Sequence, residues 1–120
     1  MSTQPSARVL VVDDESEIRR LLQMQLKRRG YTVDTADGAL NARRMLSEQP
    51  YDLVICDFRM PDGTAIDVYQ ALGDKTRFIL VSGYSEMDEE KLKAMGIREI
   101  LAKPVNFETL IQRVNASLLN

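Results

Sequence analysis

The chain has 120 residues, with a hydrophobic content of 44% and a charged content of 28%, which are ordinary values for one globular domain. Its formal net charge of −2 argues against a non-specific nucleic-acid binder, because such proteins carry a clear basic excess. The chain contains no histidine, so a Ser-His-Asp hydrolase and a histidine-ligated zinc site are both excluded.

The single cysteine, Cys56, cannot form an internal disulfide and lies inside an apolar run, which is typical of a buried thiol in a reducing compartment. No signal peptide opens the chain, and no apolar stretch approaches the roughly 20 residues that a membrane-spanning helix needs. We therefore expect a cytoplasmic protein that does not bind membranes.

Short apolar runs alternate with segments of helical spacing along the chain. Residues 1–6 are expected to form a disordered lead, and residues 7–120 to form one domain. Five strands are predicted, at residues 9–12, 31–36, 53–56, 78–81 and 100–101. Because strands alternate with helices, the sheet is expected to be parallel.

Five helices are predicted, one after each strand. Ser16 is expected to cap the first helix and Gly30 to end it. The fourth helix is expected over about residues 85–95, with Gly96 as its stop. Apolar positions at helical spacing predict the first, second, third and fifth helices. They are Ile18, Leu21, Leu22 and Leu26 in the first, Ala39, Leu40, Ala42, Met45 and Leu46 in the second, Ile66, Val68, Tyr69 and Leu72 in the third, and Phe107, Leu110, Ile111, Val114 and Leu118 in the fifth.

The composition of the strands predicts their order. The first, third and fourth strands are continuously apolar, as expected for strands that are buried on both faces, whereas the second and fifth are more polar and suit the edges. The order 2-1-3-4-5 satisfies this and gives a doubly wound, flavodoxin-like α/β fold. In that order ligands bind where the strand order reverses, between the first and third strands.

Polar residues follow four of these strands. Asp13 and Asp14 follow the first strand, Asp57 the third, Ser82 the fourth and Lys103 the fifth. The carboxyl ends of parallel strands share one edge of the sheet, and neighbouring strands are about 4.8 Å apart. Ionised carboxylates about 4 Å apart repel by roughly 4 kcal/mol at an effective dielectric near 20, so a divalent cation such as Mg²⁺ is expected there. Taken singly, each acid could also be a helix cap or loop residue.

A basic cluster lies in and after the first helix. It consists of Arg19, Arg20, Lys27, Arg28 and Arg29. We interpret it as a solvated helix face.

Four strings of residues at the strand ends carry a family resemblance. They are Val9–Glu15, Asp57–Gly63, Ser82–Tyr84 and Lys103-Pro104. Together, and in this order, they resemble the receiver domain of response regulators in two-component signalling, over about residues 7–119. The resemblance implies a phosphorylation-controlled switch, not an enzyme, that takes part in its own phosphoryl transfer and slow dephosphorylation.

The resemblance also implies a role for each matching residue. Mg²⁺ is the implied cofactor. The implied roles are the phosphoacceptor for Asp57, a direct Mg²⁺ ligand for Asp14, a largely water-mediated ligand for Asp13, a backbone carbonyl ligand for Arg59, phosphoryl-oxygen partners for Ser82 and Lys103, and a cis peptide bond before Pro104.

The chain departs from the family pattern at three positions. Ile100 stands where the family usually has a tyrosine or phenylalanine, Ala65 stands at a usual glycine, and Gly83 replaces a commoner alanine. Because Ile100 has no ring to reorient, we expect residues 82–87 to carry the conformational change, with Tyr84 as the moving side chain.

The expected partner is a histidine kinase or a histidine phosphotransfer protein. An effector domain would lie outside this sequence, and both a stand-alone receiver and a part of a longer regulator are consistent with it; a start at Met1 favours an N-terminal receiver. Phosphorylation could also promote a weak dimer. We expect no direct contact between this domain and nucleic acid.

Three other classes of protein fit the sequence less well. An aspartate-nucleophile phosphatase carries a second aspartate two residues after the nucleophile, where this chain has Arg59. A nucleotide- or flavin-binding module would need a glycine-rich phosphate loop, and no such motif occurs. A scaffold that binds partners without phosphorylation would not need the complete set of site residues.

Overall fold

The computed structural model of the protein describes residues 7–83 and 89–119. The strands are β1 (Arg8–Val12), β2 (Thr32–Ala36), β3 (Leu53–Asp57), β4 (Arg59–Met60), β5 (Gly63–Thr64), β6 (Arg77–Ser82) and β7 (Glu99–Ala102). The helices are α1 (Ser16–Arg28), α2 (Ala39–Glu48), α3 (Ala65–Tyr69), α4 (Glu89–Ala94) and α5 (Phe107–Leu119).

The central sheet is parallel and has five strands in the order β2-β1-β3-β6-β7. Since β6 and β7 are the fourth and fifth strands of this sheet, the predicted order 2-1-3-4-5 is confirmed. The two more polar strands, β2 and β7, occupy the edges, whereas every residue of β3 is buried. An interior strand is covered by helices on both faces, which explains its continuous apolar sequence.

Two apolar cores lie on opposite faces of the sheet. Alternate residues of each strand point to opposite faces, so Leu10 belongs to one core and Val11 to the other. Ala42 of α2, Val68 of α3 and Leu92 of α4 join the first core, and α1 and α5 supply the second. Because the strands pair in parallel, the carboxyl ends of β1, β3 and β6 lie together at one edge.

The ends of α1 differ in part from the prediction. Ser16 is the first residue of α1, and Glu15 occupies the N-cap position without a side-chain hydrogen bond to the helix, so the predicted Ser16 cap is wrong. Gly30 ends the helix as predicted, with φ +94°. The N–H of Gly30 donates to Lys27 and the N–H of Tyr31 donates to Leu26, which is the pattern of a Schellman motif.

Two features between β3 and β6 and one on α2 were not predicted. A short antiparallel hairpin, β4–β5, precedes α3, and its register pairs Arg59 with Thr64. Helix α3 ends at Tyr69, before the predicted Leu72. Leu40, predicted to lie on the buried face of α2, is 70% exposed, because the burial of this helix is carried by Ala39 and Ala42.

Within the two described ranges, no helix is long and apolar enough to cross a membrane. The predicted fourth helix is described from Glu89 onward, and its expected first turn lies outside the described residues.

Candidate functional site

The register of the sheet brings the polar residues of four strand ends to one edge. Val12 of β1 pairs with Cys56 of β3, so Asp13 and Asp57 follow at the same level. Ser82 is the last residue of β6, and its carbonyl accepts the N–H of Lys103 at 2.9 Å. Asp13 is held in turn by its N–H, which donates to the Ala36 carbonyl at 3.2 Å. Backbone hydrogen bonds therefore set the spacing of these residues.

Asp57 and Lys103 form an ion pair at the centre of this edge. Lys103 Nζ lies 2.7 Å from Asp57 Oδ1, and the same oxygen accepts the backbone N–H of Phe58 at 3.1 Å. The side chain of Asp57 is 6% exposed, whereas that of Lys103 is 38% exposed. A nearly buried carboxylate is thus held by two donors at a site that remains open to solvent on the lysine side.

Asp13, Asp14 and Asp57 form an acidic cluster around the same point. One carboxylate oxygen from each lies within 4.8 Å of the others, and Asp13 and Asp57 are buried while Asp14 is exposed. Burial, with added repulsion from Asp57 and Asp14, raises the pKa of Asp13 to about 6, against the lowering effect of the Glu15 N–H and Lys103. Oxygen ligands in this arrangement suit a hard divalent cation.

Lys103 remains positively charged in this environment. Burial lowers the pKa of its ammonium group, but the hydrogen bond to Asp57 and the charges of Asp57, Asp13 and Glu15 together outweigh it, and the pKa is raised. The lysine offsets one of the three carboxylate charges in the cluster. The remaining negative charge is the electrostatic condition that a bound Mg²⁺ would satisfy.

Ser82 is fully buried, and its hydroxyl donates to the Gly83 carbonyl at 3.1 Å. It lies one strand from Asp57, in the position from which a hydroxyl could reach an oxygen attached to that residue. The Lys103-Pro104 peptide bond is cis. Arg59 lies in β4 with an exposed side chain.

The structure describes Ile100, at the position where the family usually has an aromatic residue, but not Tyr84, which was expected to move in its place. Ile100 lies in the edge strand β7, opposite Leu80, and packs against the core as a half-buried residue. Tyr84 falls among residues 84–88 and lies outside the described residues.

Arg19 contributes to the site, which the sequence interpretation missed. Its guanidinium donates to the backbone carbonyl of Asp13 at 2.6 Å, and its side chain is half-buried. The interpretation of Arg19 as part of a solvated face is therefore wrong, although Arg20, Lys27, Arg28 and Arg29 are exposed. The available signal was its position near the start of α1, close to the aspartates that precede that helix.

An apolar cavity of about 430 Å³ opens beside the acidic cluster. Asp57 and Lys103 lie on its wall, and Ile18 of α1 and Phe107 of α5 line it from the two helices. The site thus has a charged part at the strand ends and an apolar part between these helices.

Comparisons with known proteins agree with this geometry. The family model of the response regulator receiver domain matches residues 9–115. The response regulator protein PilR of Pseudomonas aeruginosa is 34% identical over 92% of this chain and 26% of its own length. The transcriptional regulatory protein KdpE of Mycobacterium tuberculosis is 35% identical over 92% of this chain and 50% of its own. The chain thus spans between about a quarter and a half of these relatives.

Solved structures of similar length superpose closely on the chain. The response regulator protein TrrA of Thermotoga maritima, in complex with Mg²⁺-BeF, is 34% identical, with a TM-score of 0.80 over 92% of this chain and 98% of that one. The chemotaxis response regulator CheY4 of Vibrio cholerae is 30% identical, with a TM-score of 0.81 over 93% and 98%. On the family match and these similarities, the chain belongs to the response regulator receiver domains of two-component signalling.

Proposed function

We propose that this receiver domain accepts a phosphoryl group on Asp57, with the help of Mg²⁺, and thereby switches a signalling surface. The observation that carries the proposal is the position of Asp57: nearly buried, paired with Lys103 Nζ at 2.7 Å, and within reach of two further carboxylates. A carboxylate in such a site is a nucleophile whose product can be stabilised by fixed positive charge.

The acidic cluster fits a divalent cation by charge and by ligand type. Asp14 would bind it directly, Asp13 largely through water, and Asp57 and the carbonyl of Arg59 would complete the protein ligands. When bound, Mg²⁺ would offset the charge on the phosphoryl oxygens and on the carboxylates. Burial, with repulsion from Asp57 and Asp14, raises the pKa of Asp13, and a bound cation would offset the cost of its negative charge.

The transfer step follows from the hydrogen bonds at Asp57. Oδ1 already accepts two of them, from Lys103 and from Phe58, so Oδ2 is the oxygen that attacks phosphorus. The new bond is Asp57 Oδ2–P; the bond from phosphorus to the donor nitrogen breaks, and its electron pair stays on that nitrogen. The ammonium group of Lys103 then moves from Asp57 Oδ1 to a phosphoryl oxygen, where its positive charge stabilises the acyl phosphate.

Ser82 and the residues after it supply the proposed response. A phosphoryl oxygen offers the Ser82 hydroxyl a stronger acceptor than the Gly83 carbonyl it now contacts. Turning the hydroxyl toward Asp57 would release that carbonyl and bias the segment 82–87, including Tyr84, toward a second arrangement. Because Ile100 is packed and has no hydroxyl, we place the readout in this segment and not in β7.

We infer that the phosphodonor is a phosphohistidine on a histidine kinase or a histidine phosphotransfer protein. The cavity next to Asp57 gives a donor side chain an apolar approach between α1 and α5. The relatives are longer than this chain, so we assign the output to an effector outside this sequence, and any weak dimerisation on phosphorylation to the receiver itself. Water returns the domain to its resting state by slow hydrolysis of the acyl phosphate.

Intact-mass measurement after incubation with acetyl phosphate and Mg²⁺ tests the proposal. The wild type is expected to gain one phosphoryl group, and Asp57→Asn none, since an amide nitrogen or oxygen is a poor nucleophile. Asp74→Asn, which removes an exposed carboxylate, is the matched control and is expected to be labelled like the wild type. Equal labelling of wild type and Asp57→Asn would contradict the assignment.

A further inference from the structure

A side chain from outside α2 caps that helix. The N-cap residue, Gly38, has no side chain, and the carboxylate of Asp62 accepts the N–H groups of Ala39 and Leu40 at 2.9 and 3.0 Å. Asp62 lies in the turn of the β4–β5 hairpin, which follows Asp57 directly. The contact therefore joins the first turn of α2 to the loop that begins at the phosphoacceptor.

The contact is sterically close as well as polar. A Cβ atom on Gly38 would lie 2.7 Å from Asp62 Oδ1, and one on Gly63 would lie 3.1 Å from the Cβ of Ala39. Gly38 has an extended backbone that any residue adopts, so space is what requires glycine there. The hairpin turn thus rests directly on the start of α2.

The segment 36–40 also reaches the other loop of the site. At its first residue, the carbonyl of Ala36 accepts the N–H of Asp13 at 3.2 Å. At its last two residues, Ala39 and Leu40 hold Asp62. One short segment therefore touches both loops that would supply cation ligands: the loop with the aspartates after β1 and the loop with the Arg59 carbonyl after β3.

We propose that Asp62 is a positioning residue for the cation site, acting through the segment 36–40. It fixes the hairpin against α2 and so sets the position of the Arg59 carbonyl relative to Asp13 and Asp14. The inference rests on the proposed function, because it concerns the Mg²⁺ that the transfer uses. It adds a residue that makes no contact with the acidic cluster.

Two physical considerations support the role. The N–H groups of Leu40 and Ala39 lower the pKa of Asp62, so its carboxylate stays charged at the positive end of α2. Mg²⁺ demands nearly ideal octahedral geometry at about 2.0–2.1 Å, so a small displacement of one ligand weakens its binding. A hairpin released from α2 would allow such a displacement.

Calorimetric titration with Mg²⁺ alone tests the role with a charge-matched pair of variants. Asp62→Ala removes both the charge and the acceptors. Because Asp62 would act on the ligands indirectly, we expect the Kd for Mg²⁺ to rise about tenfold, the lower end of the loss for a group that orients metal ligands. Asp62→Asn removes the charge and one of the two acceptor oxygens but keeps the other, so its Kd is expected to lie between those of the wild type and Asp62→Ala. Amide exchange should rise at both Ala39 and Leu40 in Asp62→Ala, and at only one of them in Asp62→Asn.

Tyr51→Phe serves as a control for a general loss of stability. It removes the hydroxyl that donates to Asp34 at 2.7 Å. Tyr51 precedes β3 and, among the described residues, forms no hydrogen bond with Asp62 or the acidic cluster, so the Kd is expected to stay unchanged. If Asp62→Ala fails to fold, Gly38→Ala tests the same contact, because its Cβ would displace the Asp62 carboxylate. Gly38→Ala is expected to weaken Mg²⁺ binding in the same way.

The outcomes separate the inference from the proposed function. A wild type that binds Mg²⁺, with Asp62→Ala or Gly38→Ala binding equally well, overturns the positioning role alone. Equal weakening in Asp62→Ala and Asp62→Asn also overturns it, because charge would then account for the effect. A wild type that does not bind Mg²⁺ contradicts the proposed cation site, and the inference fails with it.

Discussion

Asp13 carries a negative charge whose burial is unfavourable. Its side chain is nearly buried and faces two other carboxylates, and burial is the main reason that its pKa is raised to about 6. The same residue accepts the N–H of Glu15 at 2.8 Å, which orients the loop before α1. The buried carboxylate of Asp13 lowers stability at neutral pH, and in the proposed function its negative charge helps to bind Mg²⁺.

The pH dependence of stability without metal should report this cost. The folded protein holds the Asp13 proton more tightly than the unfolded chain, so Asp13 makes the free energy of unfolding fall as the pH rises from 3.8 to about 6, and adds no further loss above that. The rise of the Asp13 pKa from 3.8 to about 6 corresponds to roughly 3 kcal/mol of unfolding free energy. In the presence of a metal chelator, we expect the free energy of unfolding of Asp13→Asn not to fall over this pH range. We also expect this variant to be more stable than the wild type near pH 7.

Urea unfolding at a series of pH values measures the effect. Asp74→Asn, on the exposed surface, controls for the loss of one negative charge and should keep the slope of the wild type. Parallel pH profiles for wild type and Asp13→Asn would show that the buried charge of Asp13 carries no such penalty.

At the scale of elements, the C-terminal end of α1 depends on backbone conformation and not on packing. Gly30 ends α1 with φ +94°, and no atom within 4 Å would meet a Cβ there. A substitution at Gly30 therefore meets backbone strain and no steric contact. Gly73 has equally open surroundings but no positive φ, which makes the two glycines a matched pair.

We expect Gly30→Ala to lower the free energy of unfolding by about 1 kcal/mol, because alanine adopts a left-handed conformation poorly. Gly73→Ala is expected to be neutral or slightly stabilising, since it only restricts the unfolded chain. Chemical denaturation of both variants measures the difference. A Gly30→Ala protein as stable as Gly73→Ala would mean that the Schellman ending of α1 contributes nothing.

At the scale of the whole molecule, the proposed cation site links loops that follow separate strands. Asp13 and Asp14 follow β1 and Asp57 ends β3, so a bound cation would connect neighbouring strands of the sheet at their carboxyl ends. A ligand that binds only the folded state stabilises the whole domain by mass action.

We expect Mg²⁺ at 100 times its Kd to raise the free energy of unfolding by about 2.7 kcal/mol. For a domain of this size the melting temperature should rise by roughly 10 °C. Asp14→Ala should abolish the rise, because it removes the exposed carboxylate proposed as a direct ligand. Thermal unfolding with and without Mg²⁺ measures both, and an undiminished rise in Asp14→Ala would remove Asp14 from the site.

The order of strands in the sheet could be predicted from the sequence because burial acts on composition. A strand covered on both faces must be apolar at every position, and an edge strand need not be, so β2 and β7 were recognisable as edges. The same reasoning predicted which strand ends carry the polar residues, since parallel strands share a direction. Asp13, Asp57, Ser82 and Lys103 accordingly lie at one edge.

Contacts between residues far apart in the chain depended on the tertiary structure alone. Asp62 caps α2 across a separation of 23 residues because the packed elements bring a donor and an acceptor together, and no local pattern encodes such a pair. Leu40 is exposed for the same reason: helical spacing gives a face, but neighbouring elements decide where burial ends. Periodicity and strand composition are local, so the sequence by itself determined the fold and the edge that carries the site. The family was indicated by the resemblance of the strings at the strand ends. The geometry around Asp57 was decided only when hydrogen bonds between strands and loops set the distances.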